Sequence, residues 1–305
     1  MNINLSKNIK FSNFYKRFNF LSLVLIILSL FILFFKGLNF GVDFKGGTLI
    51  ELRVDKSNVN ISDIRSSLLK MDIGDVTVKK FGKESDYLIK IEETNNEADF
   101  IKSINEELNS DLNSNVNFRR VENVGPKVSN ELLKAGLLAI TLSLAAMLFY
   151  IWIRFEWQFS LGAIIALIHD VVITLGIFSF LSYEINLSIV AAVLTIVGYS
   201  MNDTVVIFDR VRENLKKYSQ LKIAEISNLS TNETLSRTLI TSVTTLLALF
   251  SIFIFGGAIL KGFSFAMIIG VIVGTYSSIF VASPILKTFK VSYKTLEKEE
   301  EKIVP

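Results

Sequence analysis

The sequence has no cysteine, one histidine and three prolines among 305 residues. The lack of cysteine excludes disulfides and thiolate metal sites, and a single histidine excludes a metal centre with several histidine ligands. The chain also has no Walker-type phosphate loop, no Rossmann glycine pattern and no HExxH zinc motif. We therefore predict that the protein is not an enzyme and that it holds no metal and no cofactor.

What the chain has instead is long apolar runs. Half of its residues are hydrophobic and its mean hydropathy is +0.47. A transmembrane helix needs about 20 apolar residues, and six runs approach that length. The first run favours a membrane anchor over a signal peptide, because it is longer than a signal-peptide core and no small-residue cleavage site follows. The six predicted spans are Phe18–Phe35, Ala135–Ile153, Leu161–Tyr183, Asn186–Phe208, Leu239–Leu260 and Phe263–Leu286.

The basic residues predict the orientation of these spans. Lysine and arginine collect before the first span, after the second, in the connection from the fourth to the fifth, and after the last. With six spans all of these positions fall on one side, so the positive-inside rule puts both termini in the cytoplasm. Membrane topology explains this charge without contact to anionic lipid or RNA. We predict membrane lipid as a partner and no nucleic acid. The predicted divisions are a cytoplasmic N-terminus at 1–17, a first span at 18–36, an outer domain at 37–125, a helical bundle at 126–286 with a cytoplasmic loop at about 209–236, and a cytoplasmic tail at 287–305.

The outer segment reads as a small α+β domain. Its strands alternate apolar and polar residues, and its helices show the spacing of an amphipathic helix. The predicted order β-α-β-β-α-β is that of a ferredoxin-like fold. The predicted strands are Thr48–Val54, Asp75–Phe81, Tyr87–Glu92 and Val116–Val121, and the predicted helices are Ile61–Met71 and Ala98–Leu108.

Ionisable residues inside the apolar runs are the candidate functional site. An acid at such depth costs about 2.5–3.5 kcal/mol on insertion scales, so it must be paired, hydrated or used. Asp203 lies in the fourth run and His169-Asp170 in the third, which makes a proton or ion path the first hypothesis. An interhelical hydrogen bond, or for Asp203 a carboxylate reaching to the interface, is the structural alternative. Both interpretations stay open on sequence alone.

Further polar residues surround these acids in the predicted bundle. Arg237 stands at the cytoplasmic end of the fifth span, either as a membrane-edge anchor or as a counter-charge to Asp203. Thr241 follows one turn later on the same face, and Asn202 adjoins Asp203. In the sixth span Gly270 and Gly274 form a GxxxG motif, which predicts close helix packing.

Several segments together resemble the SecD/SecF family of protein-export membrane proteins, which belongs to the RND superfamily. The match in the fourth span is the most specific, and the likeness extends from the first span to the sixth. The segments are GVDFKGGT at 41–48, VENVGPKVSNEL at 121–132, ALIHDVVIT at 166–174, VGYSMNDTVVIFDRVREN at 197–214 and ETLSRTLITSVTTLLALFSIFIFGG at 233–257.

The resemblance implies a six-helix half that pairs with a homologous half, SecD, in the bacterial inner membrane. It implies that the pair works with the SecYEG channel, the ATPase SecA and YajC, and uses the proton gradient to aid translocation of unfolded preproteins. It also implies that Asp203 and Arg237 serve proton flow, whereas it assigns no firm role to His169 and Asp170. Two other functions remain open, namely one half of an RND-type exporter of small molecules or lipids, and a passive assembly factor of a translocon.

Overall fold

A computed structural model describes residues 9–55, 59–80, 84–92 and 98–296. The outermost parts of the two predicted cytoplasmic termini, and Phe81 at the end of a predicted strand, lie outside the described residues. The chain divides into two compact units, one made of residues up to 39, 140–183 and from 188 onward, the other of residues 40–139 and 184–187. In chain order the main elements are α1 (Tyr15–Lys36), β1 (Asn39–Phe40), α2 (Val42–Lys45), β2 (Gly47–Val54), α3 (Ile61–Leu69), β3 (Val76–Lys80), β4 (Asp86–Ile91), α4 (Ala98–Leu112), β5 (Val116–Val124), α5 (Pro126–Arg154), α6 (Trp157–Leu181), β6 (Glu184–Ile185), α7 (Leu187–Lys217), α8 (Ile223–Phe255), α9 (Gly257–Ser277) and α10 (Ser283–Thr288).

Six helical segments of the described chain are long and apolar enough to cross a membrane, which confirms the predicted number of spans. Five of them are α1, α5, α6, α7 and α8, and the sixth runs from Leu260 to Thr288 through α9 and α10. Large apolar side chains such as Phe34 of α1 and Trp152 of α5 remain exposed on the outside of these helices. Such surfaces are unfavourable in water and suit contact with lipid.

The helices extend further than the apolar runs alone indicate. α7 continues to Lys217 and α8 begins at Ile223, so only residues 218–222 interrupt the helix in the predicted loop at 209–236. The sequence RENLKK, rich in residues with high helix propensity, explains the extension of α7. The backbone N–H of Lys222 donates to the Glu225 carboxylate (3.2 Å), which starts α8.

The last span contains one turn of π-helix at Ser278–Ala282 between α9 and α10. Pro284, in the first turn of α10, has no N–H to donate to the preceding turn. The Ser283 hydroxyl donates instead to the Ser278 carbonyl (3.0 Å). The local change in helix type therefore follows from proline.

The second unit is built on a four-stranded antiparallel sheet. Its strand order is β3-β4-β2-β5, with β4 and β2 in the centre, and α3 and α4 follow β2 and β4 along the chain. The elements thus occur in the predicted order β-α-β-β-α-β. Their buried side chains form one continuous apolar core, which includes Ile50, Leu52, Ile64, Leu68, Ile89 and Ile104.

The sequence GVDFKGGT makes the turn into a central strand of this unit. Gly47 has a φ of +118°, and a Cβ at this position would lie 2.5 Å from the Ile91 carbonyl oxygen. Only glycine fits such a backbone without displacing the neighbouring strand. In the same segment the Asp43 carboxylate accepts a hydrogen bond from the Leu187 N–H (2.9 Å). The motif therefore has a structural role in this chain.

In the first unit, ion pairs join the ends of several helices. These pairs bring together the basic residues that the sequence predicts on one side of the membrane. The pairs are Arg154 with Asp209 (2.7 Å), Arg212 with Glu156 (2.9 Å), and Arg210 with Glu233 (2.6 Å).

The segment before α1 is held on α8 by two asparagines. The Asn232 side chain accepts from the Ile9 N–H (3.0 Å) and donates to the Ile9 carbonyl (2.8 Å). Asn228 accepts from the Ser12 N–H (2.8 Å) and donates to its hydroxyl (2.9 Å). Residues 9–12 are therefore held on the first part of α8.

Candidate functional site

Three ionisable side chains lie buried among the span-length helices. His169 and Asp170 of α6 are fully buried, and Asp203 of α7 is 3% exposed. Burying a charge is costly unless hydrogen bonds or an opposite charge compensate it. The partners of each group therefore decide what the group can do.

Asp170 joins three helices through its carboxyl group. The His169 ring contacts its Oδ1 through Nδ1 (2.8 Å). The hydroxyls of Ser200 in α7 and Ser277 in α9 both bond its Oδ2, the latter at 2.7 Å. A carboxylate offers about four lone-pair sites, so three donors nearly satisfy it. Asp170 is thus a buried polar link between α6, α7 and α9.

Glycine in α9 makes this arrangement possible. A Cβ on Gly274 would lie 3.0 Å from the Cβ of Ser200, and a Cβ on Gly270 would lie 2.3 Å from the Ile196 side chain. The predicted GxxxG motif therefore lets α9 lie directly against α7, as small residues do in membrane helices. This close approach brings Ser200 and Ser277 to the same carboxyl oxygen.

Asp203 is less well satisfied than Asp170. It contacts the Thr275 hydroxyl at 3.5 Å, the outer limit of a hydrogen bond. Thr275 in turn bonds the Ser242 hydroxyl of α8 (2.7 Å). Asp203 thus lies buried at a junction of α7, α8 and α9, with one long hydrogen bond among the described residues.

Arg237 is exposed on α8. Among the residues that the structure describes, its guanidinium forms no ion pair within 4.0 Å. The pairing of Asp203 with Arg237 through direct contact is therefore absent from this conformation. The role of Arg237 in proton flow stays a prediction.

Asn202 and Thr241, two of the predicted supporting residues, are less buried than the acids. Asn202 is exposed. The Thr241 hydroxyl donates to backbone carbonyls of its own helix, at Arg237 (3.0 Å) and Thr238 (2.9 Å). Thr241 therefore does not bond Asp203. Ser242, the next residue, provides the polar contact between α8 and α9.

Sequence reasoning missed Ser242, Thr275 and Ser277 as partners of the acids. Ser200 of α7, one turn before Asp203, is bonded to Asp170. The GxxxG motif was the available signal, since small residues on α9 mark the face that approaches α7. Serine and threonine on that face could have been named as candidates.

Comparison with known proteins gives a consistent picture. The family model described as "Protein export membrane protein SecD/SecF, C-terminal" matches residues 104–292, and the model described as "SecD/SecF GG Motif" matches residues 31–57. The chain is 45% identical over 295 residues to the protein translocase subunit SecF of Rickettsia rickettsii, covering 94% of this chain and 95% of that protein. It is 46% identical over 281 residues to the SecF subunit of Rickettsia bellii, covering 92% of each chain.

Solved structures agree with these sequence matches. The crystal structure of SecDF from Thermus, described as a translocon-associated membrane protein, superposes with a TM-score of 0.83 at 35% identity. The match covers 91% of this chain and 38% of the SecDF chain, so this chain spans about two fifths of that protein's length. Together with the six span-length helices, these relationships identify a multi-pass membrane protein. The chain belongs to the SecD/SecF family of protein-export membrane proteins.

Proposed function

We propose that this protein is the SecF subunit of a membrane complex that promotes preprotein translocation with energy from the proton gradient. The observation that carries the proposal is the full-length match to SecF translocase subunits, at 45% identity over 94% of the chain. The buried acids add a physical reason for the use of the gradient. One elementary charge that crosses 100 mV releases about 2.3 kcal/mol, which is comparable to the cost of burying one acid.

Asp203 is the group that we propose to take up and release the transported proton. It is buried, and its long contact to Thr275 leaves its ionised form poorly compensated. A carboxyl group in that position favours the neutral form until water or a cation reaches it. Arg237, one helix away and exposed, is a suitable cation. Motion of α8 that brings Arg237 to Asp203 would favour release of the proton.

The proposed topology follows the sequence prediction. Residues 1–17 and 287–305 are cytoplasmic, residues 18–36 form the first span, residues 37–125 form an extracytoplasmic domain, and residues 126–286 form the remaining bundle. The ion pairs that join Arg154, Arg210 and Arg212 to acids support a common side for these basic residues. The strand order β3-β4-β2-β5 supports a ferredoxin-like fold for the outer domain. The inner membrane is the proposed location.

The proposed partners are SecD, the SecYEG channel, SecA, YajC and an unfolded preprotein. The SecDF chain from Thermus supports the pairing with SecD. This chain matches 38% of its length, and the remainder is available for the SecD half. The proposed role is mechanical and needs no catalysis, cofactor or metal from this chain. Movement of the helices would be passed to the outer domain, which would hold an emerging preprotein against backsliding.

The experiment replaces the chromosomal gene with variants and measures secretion and drug sensitivity. Deletion should slow preprotein secretion without raising sensitivity to small toxic molecules, and Asp203→Asn should match the deletion although the protein is present in the membrane. Drug sensitivity with normal secretion would indicate a small-molecule or lipid exporter. Normal secretion in Asp203→Asn, with a defect in the deletion strain, would indicate a passive assembly factor. Either result would contradict the proposal.

A further inference from the structure

His169 and Asp170 form the most deeply buried ionisable pair in the described chain. Both side chains are fully buried, and Nδ1 of His169 lies 2.8 Å from Oδ1 of Asp170. Among the described residues, His169 is the only group within ion-pair distance that could carry a positive charge next to Asp170. An ionised Asp170 is therefore compensated inside the protein only if His169 carries a proton on both ring nitrogens.

Among the described residues, no group bonds the other ring nitrogen of His169. Nε2 is buried and forms no hydrogen bond to any described residue, and the ring stacks on Tyr276 of α9 at a centroid distance of 6.0 Å. A proton on Nε2 lacks an acceptor, and an unpaired buried donor is unfavourable. Without that proton, however, the pair carries a net negative charge. The pair is thus fully satisfied in neither state.

The serines around Asp170 can accommodate a change of charge. Ser277 lies 2.7 Å from Oδ2 of Asp170, but also 3.1 Å from the carbonyl oxygen of Gly274. Its single hydroxyl proton can therefore point to the carboxylate or turn to the backbone as the charge of the pair changes. Ser200 provides a second hydroxyl on the same carboxyl oxygen. The site contains the adjustable hydrogen bonds that two protonation states require.

We propose that His169 and Asp170 form a proton-binding site distinct from Asp203, in which the exchangeable proton resides on Nε2 of His169. Nδ1 keeps its proton because it is bonded to Asp170 in both states. Proton exchange changes the net charge of the His169–Asp170 pair. Ser200 of α7 and Ser277 of α9 are both bonded to this pair. A proton at this site therefore acts on the packing of the same two helices that hold Asp203 and Thr275.

The helices around this pair carry few other titratable groups. Tyr276 of α9 stacks on His169, and α7 carries Tyr199 and Asp203 in its apolar part. The part of α1 between Phe18 and Phe35, which packs on α6, has no titratable side chain, and neither does the π-helical turn at Ser278–Ala282. α9 and α10, which also pack on α6, carry Lys261 and Lys287 near the two ends of the last span. A change in protonation in the neutral range therefore belongs to the His169–Asp170 pair or to Asp203.

The chain's single histidine gives a direct test. The full chain, purified with a tag free of histidine, is labelled with nitrogen isotope in the imidazole ring and placed in lipid nanodiscs. Nuclear magnetic resonance then reports each ring nitrogen separately. We expect the Nε2 signal to change from protonated to deprotonated across a pH series while the Nδ1 signal stays that of a protonated nitrogen. An unchanged Nε2 signal across the series, or loss of the proton from Nδ1 first, would overturn the proposal.

Two variants separate this site from the one proposed at Asp203. Asp203→Asn should leave the His169 titration in place, and loss of the titration in that variant would show that the two acids form one site. Asp170→Asn should abolish the titration, because a charged imidazole would lose its counter-charge. A wild-type titration curve in Asp170→Asn would exclude the pair. If Asp170→Asn fails to fold, the wild-type and Asp203→Asn measurements still decide the question, whatever the outcome of the secretion assays.

Discussion

The Ile196 side chain of α7 fills the space where a Cβ on Gly270 of α9 would lie, at a distance of 2.3 Å. Gly270→Ala should therefore push the two helices apart and destabilise the protein by about 1–3 kcal/mol. Thermal unfolding of the detergent-solubilised chain, followed by circular dichroism, measures the effect. Gly198→Ala is the matched control, because a Cβ at Gly198 of α7 meets no atom within 4 Å. Equal stability of the two variants would contradict the packing of α7 on α9.

Ser277 should matter more for stability than its neighbour Ser278. Ser277→Ala removes a hydrogen bond to the buried Asp170, which should cost about 1–3 kcal/mol of unfolding free energy. Ser278 is also buried, but its hydroxyl bonds the Thr275 carbonyl in the same helical segment (2.9 Å). Ser278→Ala should thus cost about 0.5 kcal/mol or less. Both are measured by the same unfolding assay, and a reversed order would show that Asp170 does not depend on Ser277.

Gly47 should tolerate no side chain. Gly47→Ala combines a φ of +118° with a contact of 2.5 Å to the Ile91 carbonyl, so a loss above about 2 kcal/mol is expected. Gly74→Ala is the control, because Gly74 also has a positive φ, of +80°, but open space around it. The free energy of unfolding of Gly74→Ala should fall by about 1 kcal/mol. Hydrogen exchange of β2 and β4 amides in the full chain distinguishes the two, and similar exchange in both would exclude the strand contact as the cause.

The asparagines of α8 should protect specific backbone amides near the N-terminus. Asn232→Ala should speed hydrogen exchange at the Ile9 amide about tenfold, since loss of about 1.4 kcal/mol changes an equilibrium by that factor. Asn228→Ala should act first on the Ser12 amide. The two variants serve as controls for each other in one exchange experiment. Unchanged exchange at both amides would show that the segment before α1 is not held on α8 in solution.

Much of the fold can be predicted from the sequence, because its main elements follow from local patterns. Six apolar runs of membrane-spanning length define the six helices, and alternating residues define β2 and β4. The extension of α7 to Lys217 is harder to predict, because it depends on helix propensity in water beyond the apolar run. The π-helical turn at Ser278–Ala282 depends on a single proline among residues that otherwise favour a helix.

The partners within the candidate site are less predictable. Asp203 and Asp170 are recognisable as acids in apolar runs, but the helix that faces each of them depends on rotation and crossing of the helices in three dimensions. Ser200 stands one turn before Asp203 and yet bonds Asp170, because α7 presents it to α6 and α9. The sequence suggests a pairing of Arg237 with Asp203, but no such contact forms among the described residues. The spacing of residues along a helix shows which of them share a face. It does not show which other helix that face contacts.

The most direct test of the proposed function is gradient-dependent translocation into inverted membrane vesicles that contain Asp203→Asn in the full complex. With ATP saturating, imposing a proton gradient should accelerate preprotein translocation with the wild-type chain and have no effect with Asp203→Asn, while the ATP-driven rate without a gradient stays the same. Asp209→Asn is the matched control, because this acid lies in the same helix in an exposed ion pair and should keep full stimulation. Full stimulation in Asp203→Asn would contradict the account.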